Sequence, residues 1–563
     1  MTYSIFHTTR TLQLFLEFFV FAALVTGWLR PAWGRELFSA AERHFLRFAA
    51  VRWQAILLAG LFPLVVRVLL LPVFPIPQPR VHDEFSHLLL GDTLAHGRVA
   101  NPVPPLWEHF ETEYELVQPT YASQYQPGQG FFLAAGQLLT GRAWWGVWFS
   151  TGLMCAALCW ALGSVLPPGW ALFGSLVAAL QFGIFGFWMN SYFGGAVPAI
   201  GGALVFGALT RRTGIFTSML CGAGIVLMLA SRPVEGAIWL AVAAVMMLRS
   251  KASPRSILAA GAVLVMGAIG LGLYNGQITG SLFEFPYALY RQHYGTPQSY
   301  WWQPPVLISH FNHAQLAANY ENQLDFWQRR YSVSALGDSI WHRVRDFWRF
   351  FLGPALTPAF VLAFFYVRRR LRAWLVVSAI FILEHATYHA WYPQQSASET
   401  VLIVLLIVEG WRRLRLWRRF DGRGLAMSRH LSAAFAFSFA LICVGLVFPV
   451  NVRSTWGSAG RIWETMTTRP NQRATAIRRL EAAPGKHLVF VKYGPNHPWY
   501  DEWVFNGADL TGSRIVFARM CNPESDLALA RAMSDRDVWI ASPEEGPLIA
   551  RITRQELLLA ELR

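Results

Sequence analysis

The chain has 563 residues, of which 54% are hydrophobic and only 14% charged, with a formal net charge of +15. Soluble domains carry about 25% charged residues, so this composition excludes an ordinary soluble protein. The excess Lys and Arg fall in short clusters between apolar runs, not on an interleaved basic and aromatic stripe, which excludes a nucleic-acid partner.

A helix crosses about 30 Å of hydrocarbon with roughly 20 mostly apolar residues. Runs of that character lie at 11–29, 53–74, 144–165, 169–188, 192–210, 214–231, 234–249, 256–274, 347–368, 372–390, 399–417 and 431–450. They predict a mainly α fold, a transmembrane bundle of about 11–12 spans over residues 1–450. The first run, "LQLFLEFFVFAALVTGWL", is too long for a signal-peptide core and has no small-residue cleavage site, so it is expected to be retained. Arg67 falls inside the second run, where a long cation is expected to snorkel towards the interface.

Arginine clusters mark alternate connections: Arg30 to Arg52, Arg211–Arg212, Arg249 to Arg255, and those after 368 and 412. The positive-inside rule makes these cytoplasmic. Residues 75–130, 275–346 and 451–563 then lie on the outer face, which is periplasmic for a multi-pass protein of the bacterial inner (plasma) membrane. Cys155, Cys159, Cys221 and Cys443 sit in apolar runs, leaving Cys521 alone, so neither disulfides nor a cysteine metal site are expected.

The first outer stretch carries "VHDEFSHLLLGDTLAHGRVANP" (81–102). It predicts a short amphipathic helix over 83–96, lying on the outer membrane interface with Phe85, Leu88 and Leu89 on one side. Asp83 and Glu84 occupy its first turn, where acids suit the helix dipole. Successive helical residues point about 100° apart, so one acid can face a reaction centre and the other the scaffold. His82 and His87 are five apart, which does not match HExxH, and no metal site is assigned.

Beyond residue 450 the pattern changes. "HLVFVKY" (487–493), "RIVFARM" (514–520) and "DVWIAS" (537–542) predict strands, and "PESDLALARAMS" (523–534) a helix. A small outer-face α/β domain over 451–563 is expected. Its loop "YGPNHPWYDEWVFNGADL" is suited to contact a substrate or cap the membrane domain.

"HDEFSHLLLGDTLAHGR" and "YQPGQGFFLAAGQLL" (125–139) resemble the first outer loop of the GT-C membrane glycosyltransferases. Those include the lipid A aminoarabinose, protein O-mannosyl and rhizobial lipopolysaccharide transferases. "NSYFGGAVPA" (190–199), "SRPVEGAIW" (231–239), "YNGQITGSLFEFPYALYRQHYG" (274–295) and "YHAWYPQQSAS" (388–398) look like blocks of uncharacterised bacterial members, so the resemblance spans most of 75–400. It implies a polyprenyl-phosphate-linked sugar as donor, a lipid, glycan or protein hydroxyl as acceptor, and membrane lipids as surroundings. It also implies that Asp83 is the general base, with Glu84 its alternate or orienting partner. Tyr125, Gln129, Asn190, Tyr192 and Tyr290 are then donor or substrate contacts.

A departing phosphate needs positive charge or hydrogen-bond donors. Arg232, with Glu235 one turn on, and Arg291 and His293 on the large outer loop are candidates for that role. His389 in "YHAWYP" is a further candidate, although the family's "HYAAP"-like form is altered around it. No cofactor is required by this reading, and divalent-metal use varies within the family. A secondary transporter or flippase for a lipid-linked sugar is the competing class, although no matching pair of broken helices is visible. An inactive scaffold of the same fold is the third.

Overall fold

The computed structural model describes residues 17–212, 214–296, 300–329, 333–365, 371–388, 391–417, 422–447, 471–495, 497–498, 501–544 and 548–557. The helices begin with α1 (Glu17–Leu29), α2 (Arg35–Ala50), α3 (Arg52–Leu69), α4 (His82–Ala95), α5 (Pro127–Thr140), α6 (Trp144–Leu162) and α7 (Pro168–Ala178). Then come α8 (Phe187–Asn190), α9 (Ala196–Leu209), α10 (Ile215–Leu229), α11 (Pro233–Arg249), α12 (Pro254–Thr279) and α13 (Pro286–Tyr294). The bundle closes with α14 (Ala314–Arg329), α15 (Val333–Phe347), α16 (Gly353–Phe365), α17 (Arg372–Ala386), α18 (Thr400–Arg415) and α19 (Arg423–Val447).

Five helices among the described residues are long and apolar enough to cross a membrane: Arg52–Leu69, Trp144–Leu162, Pro254–Thr279, Leu336–Phe365 and Arg423–Val444. Most of the other expected runs are helices of 11 to 17 residues. The run at 169–188 is not one helix. A π-helical turn at Ala179–Gly183 ends α7, and short α8 follows. Of the first run, residues 17–29 are helical, and 11–16 lie outside the described residues. The large outer loop is shorter than expected at both ends, because α12 runs on to Thr279 and α15 continues through a π turn into α16.

The bundle core is formed by α6, α7, α9, α10, α16 and α18, where Trp239 and Trp411 are fully buried. Helix α18 is buried along almost its whole length, as expected of a central helix that is apolar all round. Arg67 corrects the snorkelling expectation. It is fully buried and donates to Asn190 Oδ1 (2.9 Å), Phe74 O (2.6 Å) and Pro75 O (3.0 Å). Its guanidinium also lies over Phe74 and Trp144. It is an internal tie, because the chain turns back at residues 70–75 and brings carbonyls to it.

Helix α4 also departs from expectation. His82, Phe85, His87, Leu89, Leu90 and Thr93 are all buried, so buried residues fall all round the helix, while Asp83, Leu88 and Asp92 stay partly exposed. On one side α5 packs closely. A Cβ on Gly91 would meet Leu133 Cβ at 2.6 Å, and one on Gly130 would meet Leu90 Cγ at 2.4 Å. Glycine is required at both crossings. The outer domain covers the other side.

That domain contains strands β3 (Lys486–Val491), β4 (Ile515–Arg519), β5 (Arg536–Ala541) and β6 (Ile549–Ile552); β1 (Glu115–Leu116) and β2 (Ala122–Ser123) are a short hairpin in the first outer loop. The sheet order is β4-β3-β5-β6, with the first three parallel and β6 antiparallel at the edge. The three expected strands and the expected helix (Pro523–Ala532) form within a few residues of their expected limits. Strand β6 and the helix Gln472–Ala482 were not foreseen, being short and polar. Leu89, Phe110, Val117 and Tyr121 share one core with Leu488, Phe490, Leu510 and Val516. The Phe85 and Phe505 rings stack at 4.0 Å, and Ala508 N donates to Asp92 Oδ2 at 2.6 Å. The C-terminal domain therefore caps α4 and the loop that follows it.

Candidate active site

Helix α4 starts because Val81 is extended and Glu84, at its third position, folds back to cap it. Glu84 Oε2 accepts from the backbone N–H of Arg80 (2.9 Å) and Val81 (3.3 Å), and Oε1 from that of Tyr192 (3.2 Å). This is the return half of a capping box. Burial pushes the Glu84 carboxyl up to about 7 against those three N–H donors. All its contacts serve the scaffold.

Asp83 points elsewhere. Its Oδ1 accepts a short hydrogen bond from the Tyr125 hydroxyl, and its side chain stays partly exposed. Burial of the carboxyl raises its pKa, while the Tyr125 bond and the positive charge of Arg232 favour the ionised form. Tyr125 stacks on His87 at 4.2 Å and meets the edge of Tyr114 at 6.4 Å. Burial and the Arg232 charge hold His87 down to about 3, so it is neutral at physiological pH. Tyr114 has a φ of 63°, in the left-handed region rare for a bulky side chain.

"QPGQG" now has a physical explanation. Gly128 N donates to Ala230 O at 2.6 Å. A Cβ at Gly128 would lie 2.1 Å from Ser231 Oγ and 2.7 Å from Ala230 O. The start of α5 therefore rests directly on the α10–α11 turn, which carries Arg232, and this contact brings Tyr125 and Arg232 to the same place. Gly128→Ala should separate them and cost about 1–3 kcal/mol of stability. Detergent-phase thermal unfolding of the variant checks this.

Arg232 caps α11, and its charge acts on Asp83, His87 and Glu235. Buried Glu235 accepts from the Tyr388 hydroxyl at 3.3 Å. Tyr388 in turn packs on Tyr300. Tyr392, half exposed, lies close enough for the Asp83 charge to act on it. The structure thus brings together Asp83, Tyr125, Arg232 and Glu235 from the sequence candidates, and adds Tyr114, His87, Tyr388 and Tyr392.

Of the other candidates, Tyr290 reaches this group through Tyr114, their ring centroids 5.9 Å apart; the rest make their contacts elsewhere. Gln129 donates to Tyr192 O at 3.3 Å, and the Tyr192 hydroxyl to Pro77 O at 3.1 Å. The Asn190 amide serves Arg67, Ile184 O and Gly186 O. Tyr290 is fully buried and donates to Glu113 at 3.4 Å. Arg291 donates to Pro304 O at 2.5 Å, and His293 is exposed. His389 lies outside the described residues.

A second polar group, which sequence reasoning missed, joins "ETEYE" (111–115) to the outer domain. Arg519, at the end of β4, is 1% exposed. It pairs with Glu502 and donates to Glu111 O (2.9 Å) and Gln315 Oε1 (3.1 Å). Glu113 accepts from Asn319 and Tyr290, and burial with the Glu502 charge pushes its carboxyl up to about 8. The signal available in sequence was three glutamates at alternate positions, a pattern that puts them on one side of an extended strand.

Glu113 yields a pH prediction. An acid with a raised folded pKa binds its proton more tightly folded than unfolded, so stability falls as pH rises between the two values. Unfolding of the wild type should become easier from about pH 4.5 to about 8, by at most ~1.4 kcal/mol per pH unit from this group. Glu113→Gln should flatten that slope, measured as unfolding midpoint against pH.

Among the described residues, the His/Cys/Asp/Glu group with metal-like proximity is His109, Cys521 and Asp526, not the 82–87 stretch. Both His109 nitrogens already have protein partners, Arg519 O at 2.8 Å and Ser525 Oγ at 2.7 Å.

No protein-family model matches the chain, and no curated protein matches it significantly. Among solved structures it is similar to the Archaeoglobus fulgidus oligosaccharyltransferase tethered to an acceptor peptide. Identity there is 9%, over 86% of this chain and 69% of that one, with a TM-score of 0.43. It is also similar to ArnT from Cupriavidus metallidurans, at 12% identity over 93% of this chain and 95% of that one, TM-score 0.42. The archaeal oligosaccharyltransferase AglB in complex with an inhibitory peptide and a dolichol-phosphate matches at 10% identity, over 87% and 69%, TM-score 0.39. These likenesses assign no role to any residue of this chain.

Proposed function

We propose that this membrane protein is a glycosyltransferase, moving a sugar from a polyprenyl-phosphate donor to a hydroxyl acceptor where the helical bundle meets the outer domain. The observation that carries this reading is Asp83: a carboxylate held by Tyr125, with Arg232 acting on it from the neighbouring turn.

In this reaction Asp83 takes the proton of the acceptor hydroxyl as its oxygen attacks the anomeric carbon. The new C–O bond forms as the bond from that carbon to the phosphate oxygen breaks. The phosphate leaves with the electron pair, and a single displacement inverts the sugar carbon. Arg232 supplies positive charge to the departing phosphate, and Tyr388 and Tyr392 supply hydroxyls near it. A carboxyl raised above its usual range is a stronger base once ionised, and the Tyr125 bond and the Arg232 charge favour that ionised form. Glu235, bonded to Tyr388, orients that side of the site.

The test uses purified full-length protein with membrane-extracted, labelled polyprenyl-phosphate sugars and a mixed pool of lipid, glycan and peptide acceptors. Covalent transfer of label supports the proposal. Movement of intact donor across a vesicle bilayer without covalent transfer would replace it with the flippase reading.

A further inference from the structure

At the end of the bundle opposite Asp83 lies a cavity of about 170 Å³ whose lining includes Arg52, Arg211, Trp160, Ala55, Ile56 and Pro168. Helix α3 separates the two ends: it begins at Arg52 and runs 18 residues towards α4, about 27 Å at the usual rise. We propose that this cavity binds the headgroup phosphate of an anionic phospholipid.

Two arginines line the cavity, and among the described residues no carboxylate does. They are close enough for the charge of Arg52 to disfavour that of Arg211. Arg211 is held in place by Gly207 O (2.6 Å) and Trp160 O (2.5 Å), with its guanidinium 4.0 Å over the Trp160 ring. Both carbonyls are neutral, so its charge is oriented but not balanced. Arg52 is exposed and forms no ion pair with any described acid. Glu42 of α2 does not help, because it is engaged by Arg415 and Arg429. Two like charges beside apolar walls, that of Arg211 held by its carbonyl partners, favour an anion between them.

The backbone adds to this field. The N-terminus of α3 opens on the cavity through Arg52 and has no side-chain cap. Its first-turn N–H groups add positive potential at the same place. The phosphate could belong to a lipid or be a free ion. A lipid is favoured because α3, which brings Arg52 to the cavity, also carries Trp53, Leu57 and Leu61, which are 64%, 50% and 46% exposed. Those side chains give acyl chains an apolar surface, which a free phosphate would not use. Basic pockets between helix ends on the arginine-rich side of a membrane suit anionic lipids on the same grounds.

Purified full-length protein in neutral detergent, titrated with phosphatidylglycerol or phosphatidylcholine and read by native mass spectrometry, tests the proposal. The wild type should retain phosphatidylglycerol at least tenfold more tightly than phosphatidylcholine. Arg52→Glu should bring the two lipids level, and Arg52→Gln should lower phosphatidylglycerol binding severalfold. Among the described residues Arg52 holds no other group in place, so both variants should fold, with gel filtration as the check. Arg212→Gln, exposed at the same end but outside the cavity, should bind as the wild type does. Equal retention of the two lipids by the wild type overturns the proposal, as does unchanged phosphatidylglycerol binding in both Arg52 variants. Displacement of the lipid by millimolar inorganic phosphate overturns the lipid assignment in favour of a free ion.

Discussion

Asp83→Asn should lower sugar transfer by about 10²- to 10⁴-fold, the usual worth of a positioned general base, while leaving the protein folded. The amide keeps the size and one acceptor oxygen for the Tyr125 hydroxyl, so what it removes is the capacity to take a proton. Glu84→Gln is the matched control. Glu84 accepts three backbone N–H bonds, and a glutamine can keep only part of that set, so its effect should fall on stability, by about 1 kcal/mol as for a lost cap. Single-turnover transfer by both variants, with detergent gel filtration and thermal unfolding in parallel, separates the two. If Asp83→Asn stays fully active and Glu84→Gln does not, the roles are reversed.

Tyr125→Phe sharpens the same experiment. Removing a hydrogen bond to the ionised carboxylate raises the Asp83 pKa. The acidic limb of the rate profile should therefore move to higher pH, with activity recovered on the alkaline side. A purely structural Tyr125 would lower activity equally at every pH.

Arg519→Met should be the most destabilising single change in the outer domain, by about 3–5 kcal/mol, because it strands a buried charge. Glu502 would keep its bonds from Trp503 N (2.9 Å) and Val504 N (2.8 Å) and its contact with Tyr493, but lose its counter-ion. In the wild type, burial pushes the Glu502 carboxyl up, yet Arg519 and these hydrogen bonds hold it below the usual range. Without Arg519 the carboxyl should rise and take up a proton, so part of the loss should be recovered at mildly acidic pH. The double variant Arg519→Met/Glu502→Gln should recover more at neutral pH, since a neutral pair costs less to bury than a lone charge. Denaturant unfolding followed by tryptophan fluorescence reads this directly, because fully buried Trp503 adjoins the pair.

The sequence by itself determined the bundle, because apolar length and charge clustering are properties of single segments. Runs such as 144–165 and 256–274 became α6 and α12 within a few residues. The outer-domain strands were equally legible, since each is a short apolar run bounded by polar residues. Asp83 could be singled out from its place after a span and from the family resemblance. Tertiary structure decided what these local patterns cannot carry. It buried most of α4, because the C-terminal domain returns from some 400 residues later to pack on it. It made Glu84 a cap and Asp83 the exposed acid, a choice set by which backbone N–H groups lie within reach. It turned Arg67 inward because a carbonyl-bearing turn and Asn190, 123 residues further on, came to meet it. Two arginines 159 positions apart, Arg52 and Arg211, face one cavity only because α3, α6, α7 and α9 end together. In each case the deciding partner is distant in the chain, and a reading of local periodicity contains no term for it.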